Sequence, residues 1–234
     1  MKRTPKIFPA LVIGSLLGLL LTFGFGGCDE NGGITVPSGV SELTVSVKAD
    51  DNALDGPANI TITEAKALIT NVEFEKESNG KDELHQRGPL VYTFNLNGAV
   101  KEMGTQYIIR DNYTKIKFQI HKPEENETPP DPEFKEGTGA NQRYSFIIKG
   151  VYNGSSFVYK SKQSLNIVLN FPAVENINLK QSNITVLFNK LLWFRNGSTE
   201  LNPSDPQNES IIDNNIKNSF KKVFRDDNKD GVPD

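Results

Sequence analysis

A period-two alternation of apolar and polar residues recurs along much of the chain and constrains its fold more than any other feature. Successive side chains of a β-strand point to opposite faces, so this pattern predicts strands buried on one side and solvated on the other. The alternation is clearest in residues 43–47, 115–121, 165–171 and 184–188. Short strands separated by turn-rich segments predict an all-β fold, an antiparallel β-sandwich.

Two further segments extend the strand prediction. Asn153-Gly154 separates strands expected at residues 144–151 and 157–160, and a β-hairpin is predicted because both turn residues tolerate positive φ. The apolar parity of residues 60–75 changes twice, so this segment fits either bulged or consecutive strands or a short helix. We favour the strands, because β segments lie on both sides.

Two segments depart from the strand pattern. Residues 123–142 carry prolines among acidic residues and are predicted to form a long exposed loop that buries little. Near the C-terminus apolar residues recur at helical spacing, which predicts one amphipathic helix over residues 204–225. Its apolar face would hold Ile212, Ile216, Phe220, Val223 and Phe224.

The first residues have the layout of a secretory signal. A basic start is followed by an apolar stretch at residues 7–25 and then by Cys28, the only cysteine of the chain. Positive charge holds the start at the cytoplasmic face while the apolar segment inserts. An uncleaved membrane helix, ordinary secretion and a buried structural cysteine are the alternatives. The glycines of the segment and the charged residues after Cys28 favour cleavage.

The ending Phe25-Gly26-Gly27-Cys28 resembles a lipobox, the cleavage signal of bacterial lipoproteins. Gly26 and Gly27 match the small residues of the family, whereas Phe25 stands where leucine is usual. The resemblance implies that diacylglycerol is attached to Cys28 and that cleavage leaves this cysteine as the first residue. Acyl chains such as palmitate would then hold the exported protein at the cell membrane or the outer membrane, facing the periplasm or the exterior.

The body of the chain carries the runs Tyr144-Ser-Phe-Ile-Ile-Lys-Gly, Leu165-Asn-Ile-Val-Leu-Asn-Phe and Leu192-Trp-Phe. In these runs residues 42–225 resemble bacterial lipoproteins of unassigned activity. The resemblance implies a transthyretin-like or immunoglobulin-like sandwich, and it implies no activity.

Composition excludes several classes of function. Lys2, Arg3 and Lys6 would leave with the signal, so 23 basic residues would face 29 acidic ones, a net charge of −6. Such a chain has no basic field for nucleic acid. His85 and His121 lie far apart, and no cluster of zinc ligands occurs. Because nucleophile elbows, phosphate loops and dinucleotide fingerprints are also absent, we do not expect an enzyme.

The nine residues from Asp226 to Asp234 match the start of a calcium loop, D-x-[DN]-x-[DN]-G. They resemble a truncated EF-hand loop or a type 3 thrombospondin repeat. The resemblance implies calcium bound by side-chain oxygens of Asp226, Asn228, Asp230 and Asp234 and by the carbonyl of Val232, with a dissociation constant of ~10⁻⁴–10⁻³ M. The acid usual at the twelfth position is missing, and a solvated acidic tail is the alternative.

These patterns divide the chain into a signal peptide (1–27), a flexible tether (28–41), a β-sandwich (42–203), a helix (204–225) and a calcium-loop-like tail (226–234). They predict a lipid-anchored envelope module that has a structural role or binds an unknown protein or glycan ligand. An envelope glycan hydrolase with paired carboxylates is the alternative, and a cleft holding two close acids would favour it.

Overall fold

The computed structural model of the protein describes residues 38–50, 59–84 and 89–234. The predicted signal peptide, Cys28 and all but the last residues of the predicted tether lie outside these ranges. Within the described ranges no helix is both long and apolar enough to cross a membrane.

The described residues form thirteen strands and one α-helix, α1 (Glu209–Ser219). The strands are β1 (Val40–Ala49), β2 (Ile60–Lys76), β3 (Lys81–Leu84), β4 (Leu90–Thr93), β5 (Lys101–Ile109), β6 (Asp111–Ile120), β7 (Phe146–Tyr152), β8 (Ser155–Ser161), β9 (Leu165–Ile177), β10 (Gln181–Phe188), β11 (Arg195–Asn196), β12 (Thr199–Glu200) and β13 (Phe220–Arg225).

The smaller of the two main sheets has the strand order β13-β10-β1-β5. β1 runs antiparallel to β5 but parallel to β10, with Leu43 level with Ser182 and Val47 with Val186. Alternate residues of β1 and β10 are apolar and buried in the core. The residues between them, such as Ser46 and Thr185, face outward and are nevertheless fully buried. The middle of the outer face of this sheet is therefore covered.

The larger sheet has the order β8-β7-β2-β6-β9, and β3 and β4 also pair with β2. β2 is 17 residues long and pairs first with β7 and then with β6. Its register shifts after Ile62, after Ile69 and after Glu75, where bulges interrupt the ladder. The preference for bulged strands over a helix in residues 60–75 is thus confirmed, because the changes of parity coincide with bulges.

The apolar faces of the two sheets pack together in one core. Trp193 is fully buried in it, stacked on Phe188 at 5.7 Å between ring centroids and edge-on to Phe146 at 5.5 Å. α1 adds Ile212 and Ile216 to the same core. The predicted all-β antiparallel sandwich with one C-terminal α-helix is confirmed. The pairing of β1 with β10 departs from the prediction because these two strands are parallel.

The predicted hairpin joins β7 and β8. Asn153 has φ of 49° and Gly154 has φ of 78°, so both central turn residues are left-handed. That is the requirement of a type I′ turn, whose twist matches the twist of the flanking strands.

The segment 123–142 buries more than its composition predicted. Phe134 is fully buried against Leu68, Tyr144 and Ile147, on the face of the larger sheet opposite the main core. Most of the segment is exposed or half-buried, as predicted, but Phe134 fastens it to the sheet.

The predicted helix over residues 204–225 was wrong at both ends. α1 begins at Glu209 and ends at Ser219, and β13 follows directly, paired antiparallel with β10 from Phe188 to Ile184. The spacing of Val223 and Phe224 fits either structure, and the exposed edge of β10 favours the strand because it offers backbone partners. A strand, not a helix, therefore leads into the C-terminal loop.

Candidate functional site

The C-terminal loop, residues 226–234, lies on the outer face of the smaller sheet. Asp226 is fully buried, and its backbone N–H donates to the Asn183 carbonyl at 2.9 Å. Its carboxylate accepts hydrogen bonds from Thr185 Oγ1 at 2.6 Å, from Gly231 N at 3.0 Å and from Asp230 N at 3.0 Å. Asp226 therefore ties the first turn of the loop to β10.

A buried polar layer lies between the loop and the sheet. Ser46 Oγ donates to Asn183 Oδ1 at 2.7 Å, and Asn183 Nδ2 donates to Thr185 Oγ1 and to the Asp226 carbonyl at 3.1 and 2.8 Å. Every side chain of this hydrogen-bonded layer has a hydrogen-bond partner. Buried polar groups do not destabilise a fold when they are paired in this way. The layer explains why the outward residues of β1 and β10 are polar although they are buried.

The other predicted calcium ligands are exposed and form turns within the loop. Asn228 Oδ1 accepts from Asp230 N at 3.0 Å, and Asn228 Nδ2 donates to Asp230 Oδ2 at 3.0 Å. Asp230 Oδ1 accepts from Val232 N at 2.8 Å, and Asp234 Oδ2 accepts from Asp227 N at 2.6 Å. The loop thus brings Asn228 and Asp230 together, whereas Asp226 faces the sheet.

The donor set fits a calcium ion only in part. Asn228 and Asp230 are exposed and adjacent, but the Asp226 oxygens are already bonded to Thr185 and to the backbone. Lys48 Nζ donates to the Gly231 carbonyl at 3.1 Å, placing a positive charge against the loop. Within residues 38–50, 59–84 and 89–234 no three His, Cys, Asp or Glu side chains are grouped as a metal site would need.

A polar groove of about 310 Å³ runs along the same face beside the loop. It is lined by Glu42, Thr44, Glu102, Thr105, Gln181, Ser182, Asn183, Asp227 and Lys229. Asp227 is held at the groove by Asn183 N at 2.9 Å and by the Arg225 guanidinium at 2.6 Å. The hydrogen bond to Asp227 raises the pKa of Arg225.

A larger polar groove, of about 800 Å³, separates α1 from the turn between β8 and β9. Asp213 on α1 reaches its floor and accepts a hydrogen bond from Tyr159 Oη at 2.6 Å. Burial raises the pKa of the Asp213 carboxyl. Glu209, one turn earlier on α1, pairs at 2.8 Å with Lys162 on the opposite wall. The remaining wall residues include Lys122, Asn141, Gln163, Ser210, Asn214 and Lys217.

A third cluster fastens the loop 123–142 to the larger sheet. Lys66 Nζ, on a residue that is only 9% exposed, lies 2.5 Å from Asp131 Oδ2 and 2.6 Å from Glu133 Oε2. Glu133 also pairs with Lys149 at 2.7 Å. The hydrogen bonds from Lys149 and Lys66 lower the pKa of Glu133 to about 2. Burial disfavours the Lys66 ammonium, but its two carboxylate partners outweigh this effect and raise its pKa.

Sequence reasoning missed both the α1 groove and the Lys66 cluster. Tyr159 and Asp213 are 54 residues apart, and Lys66 and Asp131 are 65 apart, so no local spacing connects them. The only signal was a lysine at an otherwise apolar stretch of β2. Of the two histidines, His85 lies outside the described residues, and His121 lies 3.8 Å from the exposed Glu124.

Comparison with known proteins finds a distantly similar structure but no family to which the chain can be assigned. No family model matches the chain, and no curated protein matches it. Among solved structures it is similar to MbnP from Methylosinus trichosporium, at 9% identity, over 74% of this chain and 87% of that one, with a TM-score of 0.47. So remote a likeness carries no argument about activity, and the fold class rests on the strands and sheets described above.

Proposed function

We propose that this protein is a bacterial lipoprotein, a β-sandwich held at the cell envelope through acyl chains on Cys28. The observation that carries the proposal is the place of the only cysteine, directly after an apolar segment that ends in two glycines. The first strand, β1, begins at Val40, twelve residues later. That distance suits a tether between an anchor and a folded domain. In this proposal the protein faces the periplasm or the exterior.

The lipid anchor is tested by replacing the thiol of Cys28. Cys28→Ser removes the thioether, so the variant is expected to take up no metabolically supplied fatty acid and to accumulate as a longer precursor. The matched control is Thr22→Ser, in the same apolar segment, which should be labelled and processed like the wild type. Equal fatty-acid label in Cys28→Ser and wild type would overturn the proposal.

We further propose that the domain is a non-enzymatic binding or structural module whose ligand site is the α1 groove. Its walls offer amide, hydroxyl and ammonium groups, which hydrogen-bond well to hydroxyl-rich ligands such as envelope glycans. A glycan ligand should bind less tightly to Lys217→Ala, in the groove wall, than to Lys222→Ala, on β13 outside it. Calorimetric titration with soluble peptidoglycan fragments measures both, and equal affinities of the two variants would exclude this groove.

A glycan hydrolase remains the second candidate, because the same groove holds two carboxyls with different environments. Burial raises the pKa of Asp213, as a general acid requires, and Glu209 lies four residues earlier on α1. Turnover of a glycan that is lost in both Asp213→Asn and Glu209→Gln would establish this candidate. Binding that persists in Asp213→Asn without any turnover by the wild type favours the module.

Calcium binding by the C-terminal loop is a separate proposal, supported by the turn that places Asn228 beside Asp230. An ion at millimolar concentration should raise the melting temperature by a few degrees through linkage, with magnesium a poor substitute because it demands tighter octahedral geometry. Asp230→Ala should abolish the shift, whereas Asp205→Ala, in a turn before α1, should retain it. A calorimetric titration that gives no heat with calcium would contradict calcium binding and leave the loop with a structural role only.

A further inference from the structure

Exposed apolar side chains gather at one end of the sandwich. This end, here called the tether end, is where β1 and β10 begin and where β5 and β9 end. Seven large apolar side chains are exposed among the described residues, and four of them lie there. The four are Tyr107, Ile109, Val174 and Leu179.

The strand register aligns part of this group across the smaller sheet. Val40 on β1 pairs with Ile109 on β5, and Glu42 pairs with Gln181 on β10. Lys180, in the bend before β10, accepts a hydrogen bond from Glu42 N at 2.8 Å, so the neighbouring Leu179 lies near the start of β1. Ile109 and Val40 thus form an apolar row across two strands, and Leu179 lies in the bend beside it.

The side chains of this row face outward, and hydrogen bonds hold the backbone that carries them. Ile108 is buried, so its neighbours Tyr107 and Ile109 point to the opposite, outer side of β5. Tyr113 Oη donates to the Ile109 carbonyl at 2.7 Å, and Arg110 Nε donates to the Val40 carbonyl at 2.9 Å. These bonds from buried or half-buried side chains fix the edge that carries the apolar row.

The chain enters the domain beside this row. Ser38 lies two positions before Val40 and ten positions after Cys28. Ten residues span no more than about 36 Å even when fully extended. An acylated Cys28 would keep the tether end near the bilayer, whereas the far ends of β1 and β10 lie a further strand length away. Tethering also raises the effective concentration of the surface, so a small apolar patch suffices for contact.

We propose that the tether end, through Tyr107, Ile109 and Leu179, rests on the lipid bilayer surface and sets the orientation of the anchored domain; this inference rests on the proposed lipid anchor. Tyrosine favours the membrane interface because its ring is apolar and its hydroxyl is polar. Lys180, exposed next to Leu179, adds one positive charge at this end and Glu42, paired with Tyr107, adds one negative charge, so the contact rests on the apolar side chains. In this orientation the α1 groove, the proposed ligand site, belongs to the part of the domain that stands off the membrane surface.

The test uses single introduced cysteines in the full-length protein extracted from membranes. Ile109→Cys and Leu179→Cys probe the tether end, and Val168→Cys is the matched control, since Val168 is 53% exposed on the outer side of β9 while Ile109 is 50% exposed. Each is labelled with a nitroxide and reconstituted in phosphatidylcholine and phosphatidylglycerol vesicles. Collisions of the label with oxygen, which enters the bilayer, are compared with collisions with a water-soluble nickel chelate.

We expect a higher ratio of oxygen to nickel collisions at positions 109 and 179 than at position 168. Equal ratios at all three positions would overturn the membrane contact while leaving the anchor intact. Labels at 109 that couple magnetically to each other would instead assign the row to a second copy and also overturn it. Nitroxide uptake by the wild-type chain would show a free Cys28, and the failure would then lie with the anchor itself.

Discussion

At the scale of single residues, Asp226 matters most for the C-terminal loop. Its carboxylate accepts three hydrogen bonds and is fully buried, so removing it leaves Thr185 and two backbone N–H groups without their partner. Asp226→Ala should lower the free energy of unfolding by about 1–3 kcal/mol in urea denaturation without calcium. The exposed neighbour variant Asp230→Ala should change it by no more than about 0.5 kcal/mol. Equal losses would mean that the loop is not anchored through Asp226.

The buried pair of Tyr159 and Asp213 predicts that the stability of the protein depends on pH. Burial raises the Asp213 pKa above its unfolded value, so the folded state binds the proton more tightly and is favoured at low pH. Stability from this group is present below its ordinary pKa and is lost as pH rises through the raised one. Asp213→Asn should remove that loss and flatten the stability profile above pH 4, as measured by urea titration at several pH values. An unchanged slope would contradict the assigned burial effect.

At the scale of elements, the loop 123–142 is held by charge and by one aromatic residue. Glu133 has its pKa lowered to about 2 by Lys149 and Lys66, and the pKa of Asp131 is also lowered. Depressed carboxyl pKa values give stability that is present above pH of about 4.5 and is lost as pH falls toward about 2. The protection factors of the loop amides, which compare their exchange with that of the unfolded chain at the same pH, should therefore fall in this acidic range before the sandwich unfolds.

Two variants distinguish the loss of the Glu133 ion pairs from other effects of low pH on the loop. Glu133→Gln should give fast loop exchange already at neutral pH, whereas Glu124→Gln should leave it unchanged, because the nearest cations to Glu124 are 3.8 Å away and its side chain is 72% exposed. Loop exchange that is as slow in Glu133→Gln as in wild type at neutral pH would show that the ion pairs of Glu133 do not hold the segment.

The elements also show what sequence can and cannot predict. The strands at residues 165–171 and 184–188 were predictable because a period of two is a local property of each strand. The end of α1 was not, because Val223 and Phe224 satisfy both periods and only the edge of β10 decides between them. Nor was the burial of Phe134, since its pocket is built from Leu68 and Ile147, which are distant in sequence. Long-range partners set those features.

At the scale of the whole molecule, a buried polar layer covers the middle of one face of the sandwich, and exposed apolar side chains gather at one end. The loop at Asp226 covers the outer side of β1 and β10, and the α1 groove lies open between α1 and the turn after β8. The apolar row at Ile109 is level with the start of β1. This division matches the needs of an anchored module, which has one end for the membrane and a polar surface for ligands.

Attachment of acyl chains to Cys28 is measured most directly by the intact mass of the chain extracted from membranes. We expect the mass of residues 28–234 increased by a diacylglyceryl group, with the addition located on the N-terminal peptide by fragmentation. A chain that retains residues 1–27, or one that begins at Cys28 with an unmodified thiol, would contradict this expectation.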